Sequence, residues 1–147
     1  MNTRPFATDP APDWRSRPLD WCLWYLDENA HLYAAFRAEV DARLAQYPTA
    51  RISADAVMHH IRWMTPHKAT GELRSVNNNA VALFARCYVG ERPQHRDRFE
   101  LRKSFLDELT GQEKWALVEA ARRAGRAAPA TQPVLLEPPR REERWRP

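Results

Sequence analysis

A mainly α, single-domain fold is predicted by three features of the chain: glycine is scarce, large aromatics are plentiful, and apolar residues recur at helical spacing. Only four glycines occur in 147 residues, too few for a turn-rich all-β architecture. Six tryptophans, five phenylalanines and four tyrosines supply large side chains for a core. The length suits one domain that can bury a sizeable interior. A compact helical domain of about five helices is expected over residues 19–126. A flexible lead, residues 1–18, and a flexible Pro/Arg-rich tail, residues 127–147, should flank it. The lead carries Pro5, Pro10, Pro12 and Pro18 without periodicity, and the tail carries five prolines and the mixed run Arg140 to Arg144.

Within the domain, Asp20 can cap a short helix from Trp21 to Glu28, in which Trp21, Leu23, Trp24, Tyr25 and Leu26 surround the axis and call for burial. Asn29 offers the next cap, and Tyr33, Phe36, Val40, Leu44 and Tyr47 recur at spacings of three and four until Pro48. Arg37, Glu39, Asp41 and Arg43 read as the solvated side of that long helix. Ser53 caps a third helix with Asp55 in its first turn and Val57, Met58, Ile61 and Met64 inward, ending by Thr65 before Pro66. A polar loop leads to Asn77, which can cap a fourth helix running to about Val89, with Ala80, Val81, Phe84, Cys87 and Tyr88 inward. Thr110 and Glu113 stand at capping-box spacing ahead of Trp115, Leu117, Val118 and Ala121, and Gly125 fits the end of this last helix.

Between the fourth and last helices, the alternation in Arg98-Phe99-Glu100-Leu101-Arg102 suits a half-buried strand, though so short a run also admits a helix. Two or three short strands, one starting at Ile52, would make the centre of the domain winged-helix-like.

Charge is unevenly placed. Residues 51–104 hold ten Arg and Lys against five Asp and Glu, whereas residues 20–50 hold two against five. A basic middle is the footprint expected for an anionic partner, nucleic acid first. No apolar run is long enough to cross a membrane, and the N-terminus lacks the pattern of a secretory signal, so a cytoplasmic location is expected.

Catalysis has little to stand on. Nucleophile motifs, phosphate-binding glycine loops and dinucleotide fingerprints are missing from the sequence, so no enzyme activity and no cofactor are expected. Cys22 and Cys87 lie far apart without a CxxC partner and read as buried free thiols. His59 and His60 are adjacent on a helix and point about 100 degrees apart, which disfavours a shared metal. The spacing of His67, Cys87 and His95 matches no zinc pattern, so no metal is expected. Glu100 with Lys103 has the look of a nuclease carboxylate and lysine, but no second acid stands at a convincing upstream position.

Asn29, Ser53 with Val57, Ile61-Arg62-Trp63, the run Asn77-Asn78-Asn79, Ala85-Arg86, and Phe99 with Arg102 form a spaced pattern over about half of the chain. In order and spacing this pattern resembles an uncharacterised family of small proteins of bacteria and their phages or prophages. Two positions depart from it: Ala30 stands where the family commonly has proline, and Ser75 where it has lysine, with Arg74 beside it. The resemblance implies a shared fold and a mobile-element origin, and no activity.

The leading expectation is noncatalytic binding of nucleic acid, duplex DNA above all, by a regulatory or accessory factor. Asn78, Asn79, Ala82 and Arg86 share a stripe of the fourth helix and are residue types that meet base edges in the major groove. Arg98, Arg102 and Lys103 are the candidate phosphate contacts, and Arg62 and Arg74 join them as candidate nucleic-acid-binding residues. Arg86 could equally pair with an acid of the long helix, and the Asn run could serve as plain caps and turns. The connection of about ten residues before the fourth helix is longer than that of a standard helix-turn-helix. The alternative is an adaptor that engages a host or phage protein through the aromatic and acidic N-terminal helices, with Trp14 as an exposed anchor.

Overall fold

A computed structural model describes residues 11–65 and 78–133. Among these residues it contains five α-helices, α1 (Pro18–Glu28), α2 (Ala30–Gln46), α3 (Ala54–Met64), α4 (Asn78–Glu91) and α5 (Gly111–Ala124), with 3-10 helices at Pro93–Arg98 and Phe105–Glu108. The helix boundaries follow the local chemistry. Proline at the first position of α1 pre-sets the backbone angle and gives up an N–H that the helix would leave unpaired. Ser53 accepts from the Ala56 N–H to start α3. Thr110 and Glu113 form the expected capping box at the start of α5. Asn29 behaves differently: its side chain turns back and donates to the Tyr25 carbonyl, so it closes α1 rather than capping α2.

Helix α4 lies at the centre, packed against α2, α3, α5 and the first 3-10 helix, while α1 packs chiefly on α5. Phe84 of α4 is fully buried and meets Tyr25, Tyr33 and Phe36 with ring centroids 5.9, 5.2 and 5.7 Å away. One turn on, Tyr88 continues the cluster to Phe36 and Phe99. Edge-to-face and tilted pairs of this kind add about 0.5–1.5 kcal/mol each beyond area burial.

The polar side of α2 is not the solvated stripe its sequence indicates. Arg37 donates to Glu91 of α4 at 2.9 Å and to the Gly125 carbonyl after α5 at 2.7 Å. Tyr33 donates to the same Glu91 carboxylate, whose side chain is 3% exposed. Asp41 accepts from Tyr88 at 2.7 Å and takes Arg92 in a two-point pair at 2.7 and 2.9 Å. Glu39 is buried and paired with Arg43. Burial above all pushes the Tyr33 and Tyr88 hydroxyls up in pKa, so both donate as neutral phenols. Helix α2 therefore faces protein on two sides, because a charge can enter an interior once it is paired and hydrogen-bonded.

The anticipated winged-helix strands are not formed among the described residues, and in their place is one isolated parallel bridge between Ile52 and Phe99. The Ile52 N–H donates to the Arg98 carbonyl at 2.8 Å. The alternation at 98–102 does report burial correctly, with Phe99 buried and Arg102 exposed. The segment is extended without a ladder, because Pro93–Arg98 is wound into a 3-10 helix on one side and Ser104 caps the next on the other.

Packing reaches past residues 19 and 126. Pro12 is buried, Trp14 lies against Phe105 at 5.0 Å between ring centroids, and Ala130 donates to the His31 carbonyl at 3.0 Å. The remainder of the lead and tail, and the loop from Pro66 to Asn77, lie outside the described residues.

Replacing Arg37 by Met should cost about 2 kcal/mol in urea unfolding, since the nearly buried Glu91 loses its closest cation. Replacing Glu91 by Leu in the same chain should recover part of that loss, with a coupling of about 1–2 kcal/mol in a double-mutant cycle. Strictly additive effects would show that the pair does not hold α2 to α4. At Gly125 an added Cβ would lie 2.3 Å from the Arg37 Cζ, so Gly125→Ala should also destabilise, by about 1–2 kcal/mol.

Candidate nucleic-acid interface

Three pieces of chain meet at an open groove of about 830 Å³: the start of α3, the first turns of α4, and the segment 100–105. The Ser53 cap fixes where Arg51 and Asp55 stand on one wall. The opposite wall is set by Arg86, which reaches from α4 across to that segment. Its guanidinium donates to the Arg102 carbonyl and, at 3.1 Å, to Asp107. It also lies 3.4 Å from the Ala82 carbonyl within its own helix. Asp107 is itself anchored, accepting from the Ser104 N–H in a capping box. That backbone hydrogen bond first, and Arg86 after it, hold the Asp107 carboxyl below its ordinary pKa.

Of the residues singled out by sequence, Asn78, Asn79, Ala82, Arg86, Arg102 and Lys103 all line this groove. Asn78, Arg102 and Lys103 are exposed, and Asn79 and Ala82 are half-buried. Arg86 departs from its expected role: its side chain is 14% exposed and committed to Asp107, a partner on neither α2 nor a ligand. Two others sit elsewhere. Arg98 donates to the Thr49 carbonyl at 2.9 Å, and Arg62 is half-buried on α3 outside the groove. Arg74 lies outside the described residues.

Sequence reading missed Arg51, which is exposed on the groove wall. It stands two residues before a helix cap, so no helical stripe marks it. Arg51, Arg102 and Lys103 form no ion pair among the described residues, so their charge is available to an anion. Asp55 and Glu100 line the groove as well, and a phosphate chain must pass between carboxylates of both walls. Asp55 is 3.5 Å from His59 on the same helix face, and both are exposed.

Helix α4 cannot lie lengthwise in a DNA groove. Ala80, Leu83, Phe84, Ala85, Cys87, Tyr88 and Val89 are buried in the protein, and only the first turns and Gly90 near the end open outward. The surfaces expected of an adaptor are largely engaged inside the fold too: Trp21, Tyr33 and Phe36 are core residues, and Trp14 is half-buried. Among the described residues the most exposed tryptophans are instead Trp63 on α3 and Trp115 on α5, at 72% and 61%.

Cys22 and Cys87 are buried free thiols, and burial pushes Cys22 up to about 12 and Cys87 well above its ordinary value. His95 stacks on Tyr88, while His67 lies outside the described residues. Among the described residues no group of His, Cys, Asp or Glu is placed to hold a metal ion. None of the described helices is long and apolar enough to cross a membrane. No protein-family model matches the chain, and neither a curated protein nor a solved structure is similar to it.

A lowered carboxyl pKa stabilises the fold above the unfolded value, near 3.9, and the contribution is lost as pH falls through the lower folded value. Asp107→Asn should therefore be less stable than the parent at neutral pH and lose less stability on acidification below about pH 4. Parallel acid-unfolding curves for the two proteins would mean that Asp107 does not hold the groove wall.

Proposed function

We propose that the chain binds nucleic acid without catalysing a reaction, through the groove between α3, the start of α4 and residues 100–105. The observation that carries this reading is the placement of three exposed cations, Arg51, Arg102 and Lys103, which form no ion pair among the described residues, around the polar start of α4. Phosphate contacts from such cations supply affinity and position the protein on its ligand. Asn78, exposed at the start of α4, is then the group that can reach base edges.

Duplex DNA is the favoured ligand, approached end-on by α4. In helix-turn-helix proteins too, the N-terminal residues of the recognition helix contact the bases, so an end-on approach needs only the part of α4 that the core leaves free. Arg86 has a different part in this account: it positions the segment bearing Arg102 and Lys103 and contributes no contact of its own. The role proposed with this binding is a regulatory or accessory one in a mobile element. The adaptor reading has less support, since Glu39 of α2 is buried and Asp41 is already held by Arg92 and Tyr88.

Fluorescence anisotropy with labelled duplex DNA, repeated from low to physiological salt, tests the reading. Binding should weaken steeply with salt, and the Arg51→Ala/Arg102→Ala/Lys103→Ala variant should lose about 0.9 from the log–log salt slope for each phosphate contact removed. Asn78→Ala should lower preference among sequences while leaving the salt slope unchanged. No binding at low salt, or a triple variant that binds like the parent, would contradict the proposal.

A further inference from the structure

Behind the groove wall, on the far side of the Arg86–Asp107 pair, is a second cavity of about 240 Å³ between the end of α4, the start of α5 and residues 101–109. Its floor includes Val89, Leu106, Leu109 and Leu117, all buried, and its rim carries Arg96 and Lys114, both exposed. Asp107 is the sole carboxylate of the lining and is already engaged by Arg86 and the Ser104 N–H. Arg96 and Lys114 form no ion pair among the described residues. Lys114 also acts on Asp107 through space, but the lining holds three cations, Arg86, Arg96 and Lys114, against that one carboxylate, so the cavity is positive in balance while its depth is apolar. Open space over buried leucines also leaves their methyl groups without packing partners on one side.

The geometry points to a binding site for a small organic acid, with an apolar body on the leucine floor and a carboxylate at the rim facing Arg96 and Lys114. The volume is below the usual range for drug-sized ligands and admits roughly ten non-hydrogen atoms, the size of an aromatic or short aliphatic carboxylic acid. Paired recognition of this kind divides the work: the floor accounts for the gain from leaving water, and the cations select for charge through charge-assisted hydrogen bonds. The inference does not rest on nucleic-acid binding, since no rim cation of this cavity belongs to the cations of the groove.

The test is a titration of the full chain with benzoate, followed by amide-resolved NMR at low ionic strength, with benzyl alcohol and inorganic phosphate as comparison probes. Benzoate should give saturable shifts at Val89, Gly90, Leu117 and Val118. Benzyl alcohol, which keeps the ring but lacks the charge, should bind about tenfold more weakly, and the Arg96→Gln/Lys114→Gln variant should weaken benzoate by a similar factor. Both substituted residues are exposed, so the variant should stay folded. Non-saturating shifts, shifts centred elsewhere, equal binding of benzyl alcohol, or equal binding of phosphate at these amides would each overturn the assignment.

Discussion

The burial of α4 among α2, α3 and α5 is the constraint on which the rest of the structure depends. Phe84 gathers the aromatic rings of α1 and α2 around it, and Tyr88 extends the cluster to Phe99. Glu91, at the end of the same helix, gathers Tyr33 and Arg37. One helix thus supplies the apolar centre and the polar join between layers. Close approach of α5 is part of the same arrangement, for a Cβ at Gly90 would stand 2.6 Å from the Val118 side chain. A central helix leaves few of its own residues for a ligand, and those it leaves lie toward its two ends rather than along its length.

That constraint also explains the division of labour among the arginines. Arg37 and Arg92 close interhelical networks, Arg98 ties the end of the first 3-10 helix to the turn after α2, and Arg86 fastens residues 102–107 to α4. Arginine suits such posts because its planar fork holds several acceptors at once and its charge persists at any ordinary pH. Among the described residues, Arg51, Arg102 and Lys103 at the groove and Arg96 at the neighbouring cavity are cations without an ion pair, as are Arg62, Arg123 and Arg126 elsewhere. Net charge alone would have treated all of these alike, whereas the hydrogen-bond partners separate the structural cations from those free to meet a ligand.

Much of the helical order was legible in the sequence, since local signals carry it. Ser53 and Thr110 with Glu113 act on residues within one turn, and period-three-and-four apolar positions found most of the inner faces of α2 and α3, although Tyr47 and Met64, placed inward by the same spacing, are exposed. The polar side of α2 was misread because its partners are remote in sequence: Glu91 is 54 residues from Arg37, and Arg92 is 51 from Asp41. A polar stripe looks the same whether it faces water or a paired charge. The run at 98–102 shows the converse limit, in that alternation reports which side chains are buried but not whether a ladder forms beside them. Of the proposed interface, the α4 and 102–103 residues were readable as types, while Arg51 became visible only when three separated segments met in one groove.

The most direct measurement of the central claim is an amide-resolved NMR titration of the chain with a short DNA duplex. Shifts should concentrate at Arg51 to Asp55, Asn78 to Ala82 and Glu100 to Phe105, while the amides of α1 and the second half of α5 stay unmoved. Shifts spread evenly over the surface, or centred on Trp63 or Trp115, would contradict the groove as the nucleic-acid interface.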